Sequence, residues 1–194
     1  MRRIRYRVAM SLDGYIAGPQ GEFDWIIGDP EIDFGALFRE FDTLLVGRAT
    51  FEFMVKHGRA VTPGMQTIVF SRTLRQSDFP DVTIVAGQEK ETVAALRGKP
   101  GKDIWLFGGG ALFRSLLDME LVDTVEVAVI PVLLGGGIPL LPSPAKRAKL
   151  KLMGHKVYGS GIVALEYSKE HANEHPTEHA KKPSKERSKP DRRK

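Results

Sequence analysis

The chain contains no cysteine among its 194 residues. This absence excludes disulfide bonds, thiolate metal sites, iron–sulfur clusters and cysteine nucleophiles. No apolar run approaches the ~18 residues that a membrane helix needs, although hydrophobic residues make up 42% of the chain and can form a real core. The basic N-terminus, MRRIRYRVAM, lacks the apolar stretch and small-residue cleavage site of a secretory signal. We therefore expect one cytoplasmic domain of ordinary size with no membrane contact.

Apolar residues disappear near the C-terminus, where no Val, Ile, Leu, Met or aromatic residue occurs from Ser168 onward. Such a segment cannot bury enough apolar surface to offset the entropy lost on ordering. The sequence therefore predicts a domain over residues 1–168, followed by a disordered, charged tail over residues 169–194.

The net charge of +5 lies mostly in that tail, which carries nine Lys/Arg and five Asp/Glu, whereas the preceding 168 residues carry 20 basic and 19 acidic groups. A globular nucleic-acid-binding protein carries its basic patch on the domain itself. We therefore expect no specific nucleic-acid partner. An interaction protein whose tail binds polyanions nonspecifically stays an alternative, since clustered Lys/Arg bind in that way.

Histidine spacing gives little support for a metal site. Three tail histidines recur every four residues and would share one helix face, but two prolines oppose a continuous helix. The histidines are His171, His175 and His179, and the prolines are Pro176 and Pro183. The domain's own histidines, His57 and His155, lie far apart without partner spacing, so no metal is expected.

Short apolar runs alternate with helical spacing along the domain. Strands are predicted over residues 4–10, 43–46, 67–70, 82–85, 104–107, 125–130, 149–157 and 162–167. Helices are predicted over residues 34–41, 51–55, 89–96 and 111–119. This order favours a three-layer α/β/α domain with a mainly parallel central sheet and an antiparallel C-terminal edge. Clean alternation from Lys149 to Leu152 predicts that one face of that strand meets water.

Three of the predicted strands end in turns of similar design: GRAT at residues 47–50, SRT at 71–73 and GGGA at 108–111. Ligands of open α/β sheets bind beyond the carboxyl ends of the strands, where helix N-termini present free N–H groups. Glycine permits close backbone approach to a phosphate, and arginine adds a charged fork. A ligand with several phosphates, such as NADPH, would contact more than one of these turns.

Each turn also has an ordinary structural interpretation. Gly47 can end a strand while Thr50 caps the next helix, and an SRT segment alone is typical of a polar loop. The triplet at 108–110 indicates close backbone approach, because glycines otherwise weaken both flanking elements. A second triplet at 135–137 opens no helix and is predicted to be a loop or bulge. No G-x-G-x-x-G follows the first strand, which argues against a Rossmann domain.

Six short motifs occur in an order that resembles a known superfamily. They are AMSLDGYIA, DW, LLVGRATFE, SRT, WLFGGGALF and VIPVLLGGGIPLL, spread across about residues 4–167. The chain resembles the dihydrofolate-reductase-like superfamily. Within it, the chain is similar to the family of the C-terminal reductase domain of the bifunctional riboflavin-biosynthesis deaminase/reductase. The resemblance implies a central sheet of eight strands, NADPH across its carboxyl edge, and a homodimer.

The resemblance also implies a set of cofactor-binding residues. Those facing the nicotinamide half would be Ala9, Ile16 and Ala17. Those holding phosphate at a helix start would be Gly47, Arg48, Ala49 and Thr50. The adenosine 2′-phosphate would meet Ser71 and Arg72, and the pyrophosphate cradle would be completed by Gly108, Gly109, Gly110, Ala111 and Leu112. Dihydrofolate reductases have a cis Gly-Gly peptide at this place, so the Gly108–Gly109 bond is expected to be cis.

The substrate side departs from the riboflavin enzymes in two places. They usually have lysine two residues before the alanine of the first strand, where this chain has Arg7. Their Asp-x-Pro segment, implicated in substrate recognition, has no counterpart in residues 51–63. In dihydrofolate reductases an acidic residue grips the pteridine, and Glu31 and Asp33 compete for that role here. Both could equally be favourable charges in a first helical turn.

Two further residues are candidates for the substrate site. Asp13 would anchor substrate or lie on a proton path, or it would accept hydrogen bonds in an Asx-type turn of its own loop. Trp25 would wall the substrate pocket, or it would be a core aromatic under the loop.

Together these features predict an NADPH-dependent oxidoreductase that delivers hydride to a C=N or C=O carbon of a small heterocyclic or pyrimidine-derived substrate. The resemblance points to 5-amino-6-(5-phosphoribosylamino)uracil reductase of riboflavin biosynthesis. One alternative is an enzyme of the same fold that acts on a pterin-like substrate. Another is a non-catalytic NADPH-binding module, which the missing substrate segment motivates.

Overall fold

The computed structural model describes residues 1–170. Of the tail predicted over residues 169–194, Lys169 is the last residue of a strand, and residues 171–194, with the three histidines, lie outside the described residues. Strands β1 to β10 span Ile4–Ser11, Tyr15–Ala17, Phe41–Gly47, Gln66–Phe70, Thr83–Val85, Asp103–Gly108, Thr124–Ile130, Ile138–Pro139, Leu150–Val157 and Val163–Lys169. Helices α1 to α4 span Phe34–Arg39, Arg48–Lys56, Glu89–Arg97 and Gly110–Asp118.

The central sheet contains eight strands in the order β5-β4-β3-β6-β1-β7-β10-β9. Neighbours from β5 to β7 run parallel, whereas β10 is antiparallel to both β7 and β9. One core packs α3 and α4 against one face of the sheet, and a second core packs α1 and α2 against the other. The predicted three-layer domain, with its parallel centre and antiparallel C-terminal edge, is confirmed.

The first helix is shorter than its apolar spacing predicts. Residues 34–41 were expected to be helical, but α1 ends at Arg39 and Phe41 begins β3. Phe41 is 2% exposed and stacks on Trp105 of β6, with 5.3 Å between ring centroids. Pairing with β6 and burial against this aromatic ring therefore override the local helical pattern.

The edge strand β9 also differs from its prediction. Nearly all of its residues are exposed, so both of its faces meet water instead of the expected one. The apolar side chains left uncovered are Leu150, Leu152, Met153 and Val157, at 39–65% exposure. They are uncovered because the two helical cores lie over the parallel part of the sheet and draw no residue from β9.

None of the helices within residues 1–170 has the length and apolarity needed to cross a membrane.

Candidate functional site

One cleft of about 1820 Å³ lies along the carboxyl edge of the sheet. Single-ligand sites reach only ~1,000 Å³, so the cleft has room for two molecules. Its lining includes every predicted cofactor-binding residue except Gly108: Ala9, Ile16, Ala17, Gly47, Arg48, Ala49, Thr50, Ser71, Arg72, Gly109, Gly110, Ala111 and Leu112. The three strand-end turns, together with the first strand and the loop after it, therefore share a single cavity.

Two of the strand-end turns touch each other, because β3 and β6 are parallel neighbours whose ends meet at Val46 and Gly108. A Cβ added to Gly109 would lie 3.1 Å from the Thr50 hydroxyl oxygen, and one added to Gly47 would lie 3.4 Å from Cβ of Leu112. The backbones of the two turns thus form one continuous surface.

Both helices that follow these turns begin without a side-chain cap. The N-cap residues of α2 and α4 are Gly47 and Gly109, which have no side chain to accept a hydrogen bond. Thr50 lies inside the first turn of α2 and is not its cap. The first-turn N–H groups and the positive dipole ends of both helices therefore suit an anion in the cleft. The Gly108–Gly109 peptide is cis, as predicted.

In the turn that contains Ser71 and Arg72, the two side chains have different roles. Ser71 is 6% exposed, and its hydroxyl accepts hydrogen bonds from the backbone N–H groups of Thr73 at 3.2 Å and Leu74 at 3.0 Å. These bonds fix the turn after β4. Arg72 is exposed and lines the cleft, where its guanidinium can meet a phosphate.

A row of alanines crosses the sheet beneath the other end of the cleft. Ala9 of β1 pairs with Ala128 of β7, which in turn pairs with Ala164 of β10. All three line the cleft. Small side chains on adjacent strands leave space for a flat ring above the sheet. Sequence reasoning missed Ala128 and Ala164, because only the strand register brings them beside Ala9.

Gly137 packs against the loop that carries Ile16 and Ala17. Residues 15–17 form β2, which pairs with the short strand β8 directly after Gly137. A Cβ on Gly137 would lie 2.2 Å from the carbonyl oxygen of Ala17. The second glycine triplet is a loop, as expected, and its last glycine permits the close backbone approach that frames the cleft.

Below the alanine row lies a charged floor, of which the sequence singled out only Arg7. Arg5 donates to both carboxylate oxygens of Glu126, at 2.6 and 2.8 Å, and also to Glu40. Arg7, on the same face of β1, lies 3.6 Å from Glu40 and 3.4 Å from Glu126. Burial acts to raise the pKa of Glu126, but hydrogen bonds and charge from Arg5 hold it below its ordinary value. Glu126 is therefore ionised at neutral pH.

Aromatic side chains wall the cleft beside this floor. Phe38, Trp105 and Phe107 all line it, and the Trp105 ring lies 5.5 Å from Phe38 and 5.3 Å from Phe107. The Trp105 indole donates to the backbone oxygen of Arg7 at 2.9 Å, which holds the wall against β1. Such a wall can stack on a planar ring.

The predicted substrate residues lie outside the lining of the cleft. Asp33 is the N-cap of α1 and accepts from the N–H of Ala36 at 2.8 Å. Glu31 forms an exposed ion pair with Lys156 at 3.2 Å. Trp25 donates from its indole to the carbonyl of Glu22 at 3.1 Å. These contacts favour structural roles for all three residues, and their substrate roles stay predictions.

Asp13 joins two loops. Its carboxylate accepts from the Ser11 hydroxyl at 2.6 Å and from the backbone N–H groups of Leu134 at 3.1 Å and Gly135 at 2.7 Å. The hydrogen bond from Ser11, followed by those from the 134–135 backbone, lowers its pKa. Asp13 therefore stays ionised near neutral pH and anchors the segment that leads to Gly137.

Asp13→Asn is expected to loosen this segment without changing the pH profile of turnover. An amide presents one acceptor oxygen where the carboxylate presents two, so hydrogen exchange at Leu134 and Gly135 should become faster. Hydrogen exchange measured by NMR checks this result, with the exposed Asp24→Asn as the matched control. A shifted acidic limb of the pH–rate profile with unchanged exchange would instead support a proton-path role.

The fold and the cleft define a dihydrofolate-reductase-like domain. A dihydrofolate reductase from Enterococcus faecalis, complexed with NADP(H) and RAB-propyl, superposes with a TM-score of 0.64 at 20% identity, covering 87% of this chain and 97% of that one. A putative riboflavin biosynthesis protein from Shewanella superposes with a TM-score of 0.76 at 26% identity, covering 88% of this chain and 100% of that one.

The chain belongs to the RibD C-terminal domain family, whose model matches residues 2–164. The uncharacterized protein YyaP of Bacillus subtilis is 34% identical over 178 residues, covering 86% of this chain and 94% of the relative. The riboflavin biosynthesis protein RibD of Corynebacterium ammoniagenes is 24% identical, and the match spans 46% of its length. The resemblance drawn from the six motifs is confirmed, and at the level of the family it supports an oxidoreductase.

Proposed function

We propose that this protein is an NADPH-dependent reductase that transfers hydride to a small heterocyclic substrate. The observation that carries the proposal is the convergence of Arg48, Arg72 and Gly109 on one cleft. Two uncapped helix N-termini and the exposed Arg72 face this cavity, beside Arg48, which is paired with Glu52 at 2.9 Å, and together they suit a ligand with phosphates at more than one point.

Different residues of the cleft would contact different parts of NADPH. The first-turn N–H groups of α2 and α4 would bind the pyrophosphate, since the glycines there let the two turns pack together. Arg72 would hold the 2′-phosphate. The nicotinamide would lie near Ala9, Ile16 and Ala17, over the alanine row. When bound, NADPH supplies the hydride, and the protein orients the ring and excludes water.

The substrate would occupy the remaining cavity between the charged floor and the aromatic wall. A pyrimidine-derived compound of riboflavin biosynthesis is the first candidate, supported by the match to the RibD protein of C. ammoniagenes. A pterin-like compound is the second, supported by Arg7 in place of lysine and by the missing Asp-x-Pro segment. Measured NADPH oxidation with each class of compound distinguishes them. Absence of turnover with both, despite NADPH binding, would favour the non-catalytic module.

NADPH should raise the Tm of the protein, and Arg72→Gln should weaken NADPH binding by about ten- to a hundredfold while leaving NADH binding nearly unchanged. A charge-assisted hydrogen bond contributes about 1.5–3 kcal/mol, and NADH lacks the 2′-phosphate that would receive it. Titration followed by thermal unfolding measures both constants.

Arg75→Gln is the matched control, because Arg75 is exposed, pairs with Asp78 at 3.2 Å and does not line the cleft. No rise in Tm with millimolar NADPH in the unaltered protein would contradict the proposed function. Equal losses for NADPH and NADH in Arg72→Gln would remove Arg72 from the 2′-phosphate site.

The homodimer and the cytoplasmic location stay predictions. Sedimentation measures the first, and the exposed apolar side chains of β9 are the surface to examine if a dimer forms.

A further inference from the structure

One polar pair on the cleft floor has unused hydrogen-bonding capacity. The Arg7 side chain is 33% exposed and lies near two carboxylates, yet its guanidinium donates no hydrogen bond to any residue in 1–170. Oxygen Oε1 of Glu40, 3.6 Å from Arg7, likewise accepts none within that range. Within residues 1–170, Arg7 meets these carboxylates only through ion pairs of its Nη1, so its other N–H groups remain available beside Oε1 of Glu40 in the cleft.

Arg5 and Glu126, which lie behind this pair, already use their hydrogen-bonding groups within the protein. Arg5 is 7% exposed and bonds to both oxygens of Glu126, and Glu126 also accepts from the Thr124 hydroxyl at 2.8 Å. Arg5 also donates to oxygen Oε2 of Glu40, which leaves Oε1 paired with Arg7 at 3.6 Å and without a hydrogen bond from any residue in 1–170. Arg5 and Glu126 therefore position Arg7 and Glu40 and have little capacity left for a ligand.

The open pair lies beside the expected position of the nicotinamide. Arg7 and Ala9 are two residues apart on the same face of β1, which separates them by about 7 Å along the strand. Trp105 and Phe107 stand at the side of the same chamber. A planar ring that stacks on this wall would present its edge to Arg7 and Glu40.

We propose that Arg7 and Glu40 bind the edge of the substrate ring, Arg7 donating to a ring carbonyl and Glu40 accepting from the neighbouring ring N–H. The substrate is then an uncharged ring with a cyclic amide edge. This inference rests on the proposed reductase and names the residues that would select its substrate.

The charge of the floor favours an uncharged ring over an acidic one. Two guanidinium groups, on Arg5 and Arg7, face two carboxylates, on Glu40 and Glu126. A third carboxylate, Glu166, pairs in register with Glu126 and also lines the cleft. A negatively charged ring substituent placed among these five groups would therefore meet a net negative charge, while Lys156, which also lines the cleft, is paired with Glu31.

Two methylated uracils test the proposed contact. One carries a single methyl group and keeps the N–H between its two carbonyls, and the other carries methyl groups on both ring nitrogens. The unaltered protein should bind the first about tenfold more tightly, because the second offers no donor to Glu40. Glu40→Ala should make the affinities for the two rings equal, whereas Arg7→Met should weaken the binding of both rings. Ligand-observed NMR titration, with and without NADPH, measures the dissociation constants.

Three outcomes would overturn the inference: equal affinity for both rings in the unaltered protein, an unchanged preference in Glu40→Ala, or a preference lost in Glu166→Gln instead. If Glu40→Ala fails to fold, Glu40→Gln keeps the bond to Arg5 and should reduce the preference. If the protein still prefers the singly methylated ring but does not bind NADPH, only the proposed reductase function is contradicted. If the protein binds NADPH but shows no preference between the two rings, only the proposed role of Arg7 and Glu40 is contradicted.

Discussion

Gly137→Ala is expected to lower the Tm by about 6–12 °C and to abolish measurable NADPH binding. The new Cβ would lie 2.2 Å from the Ala17 carbonyl oxygen, and Gly137 has a φ of +150° that L side chains rarely adopt. Separating β2 from β8 to relieve this clash should cost about 3 kcal/mol, and each kcal/mol corresponds to ~2–4 °C for a domain of this size. The same movement displaces Ile16 and Ala17 from the cleft. Thermal unfolding and NADPH titration measure the two effects.

Gly136→Ala is the matched control for this prediction. No atom lies within 4 Å of a Cβ placed at Gly136, and its backbone lies outside the strained range. Its Tm and NADPH affinity should match those of the unaltered protein. If both alanine variants behave alike, close packing of Gly137 on Ala17 does not shape the cleft.

Glu126→Leu is expected to lower the free energy of unfolding by about 3–5 kcal/mol, because it leaves the buried Arg5 guanidinium without its bidentate partner. Urea denaturation measures the loss. Adding Arg5→Met to Glu126→Leu should recover part of the stability, since an apolar pair of similar volume requires no buried charge. Asp78→Asn, which breaks the exposed pair with Arg75, should change stability by less than about 1 kcal/mol. If Glu126→Leu and Asp78→Asn lowered the free energy of unfolding by similar amounts, this would contradict a buried pair between Arg5 and Glu126.

The contribution of Glu126 also has a defined pH dependence. Its pKa in the folded protein lies below the ordinary value of 4.5, so the unfolded chain binds a proton first as the pH falls. The stabilisation is fully present above pH of about 4.5 and is lost as the pH falls through the lower folded pKa. The difference in stability between the unaltered protein and Glu126→Leu should therefore shrink in acid and stay constant near neutral pH.

The part of the cleft where we propose that NADPH binds could be located from the sequence because its residues form contiguous motifs at strand ends. Gly47–Thr50 and Gly108–Leu112 each combine a buried strand, a glycine and a helix start within a few residues. Parallel strands then bring these ends to one edge of the sheet without further information.

The charged floor, where we propose that the substrate binds, could not be predicted in this way because its residues meet only through the strand register. Arg7 meets Glu126 by the pairing of β1 with β7, and no local pattern marks that contact. From the sequence, Glu31 and Asp33 are the stronger candidates for an acidic substrate-binding residue, since they precede a helix. That helix has six residues, and the acid that faces the sheet is Glu40 at its C-terminal end.

Strand β1 carries both Ala9 and Arg7, and both residues pair with β7 in one continuous parallel register. The distance between hydride donor and acceptor would accordingly be dictated by rigid backbone geometry and would owe little to loop closure. Exchanging side chains around Glu40 could then retune which compound is accepted while the path of the hydride stays unchanged.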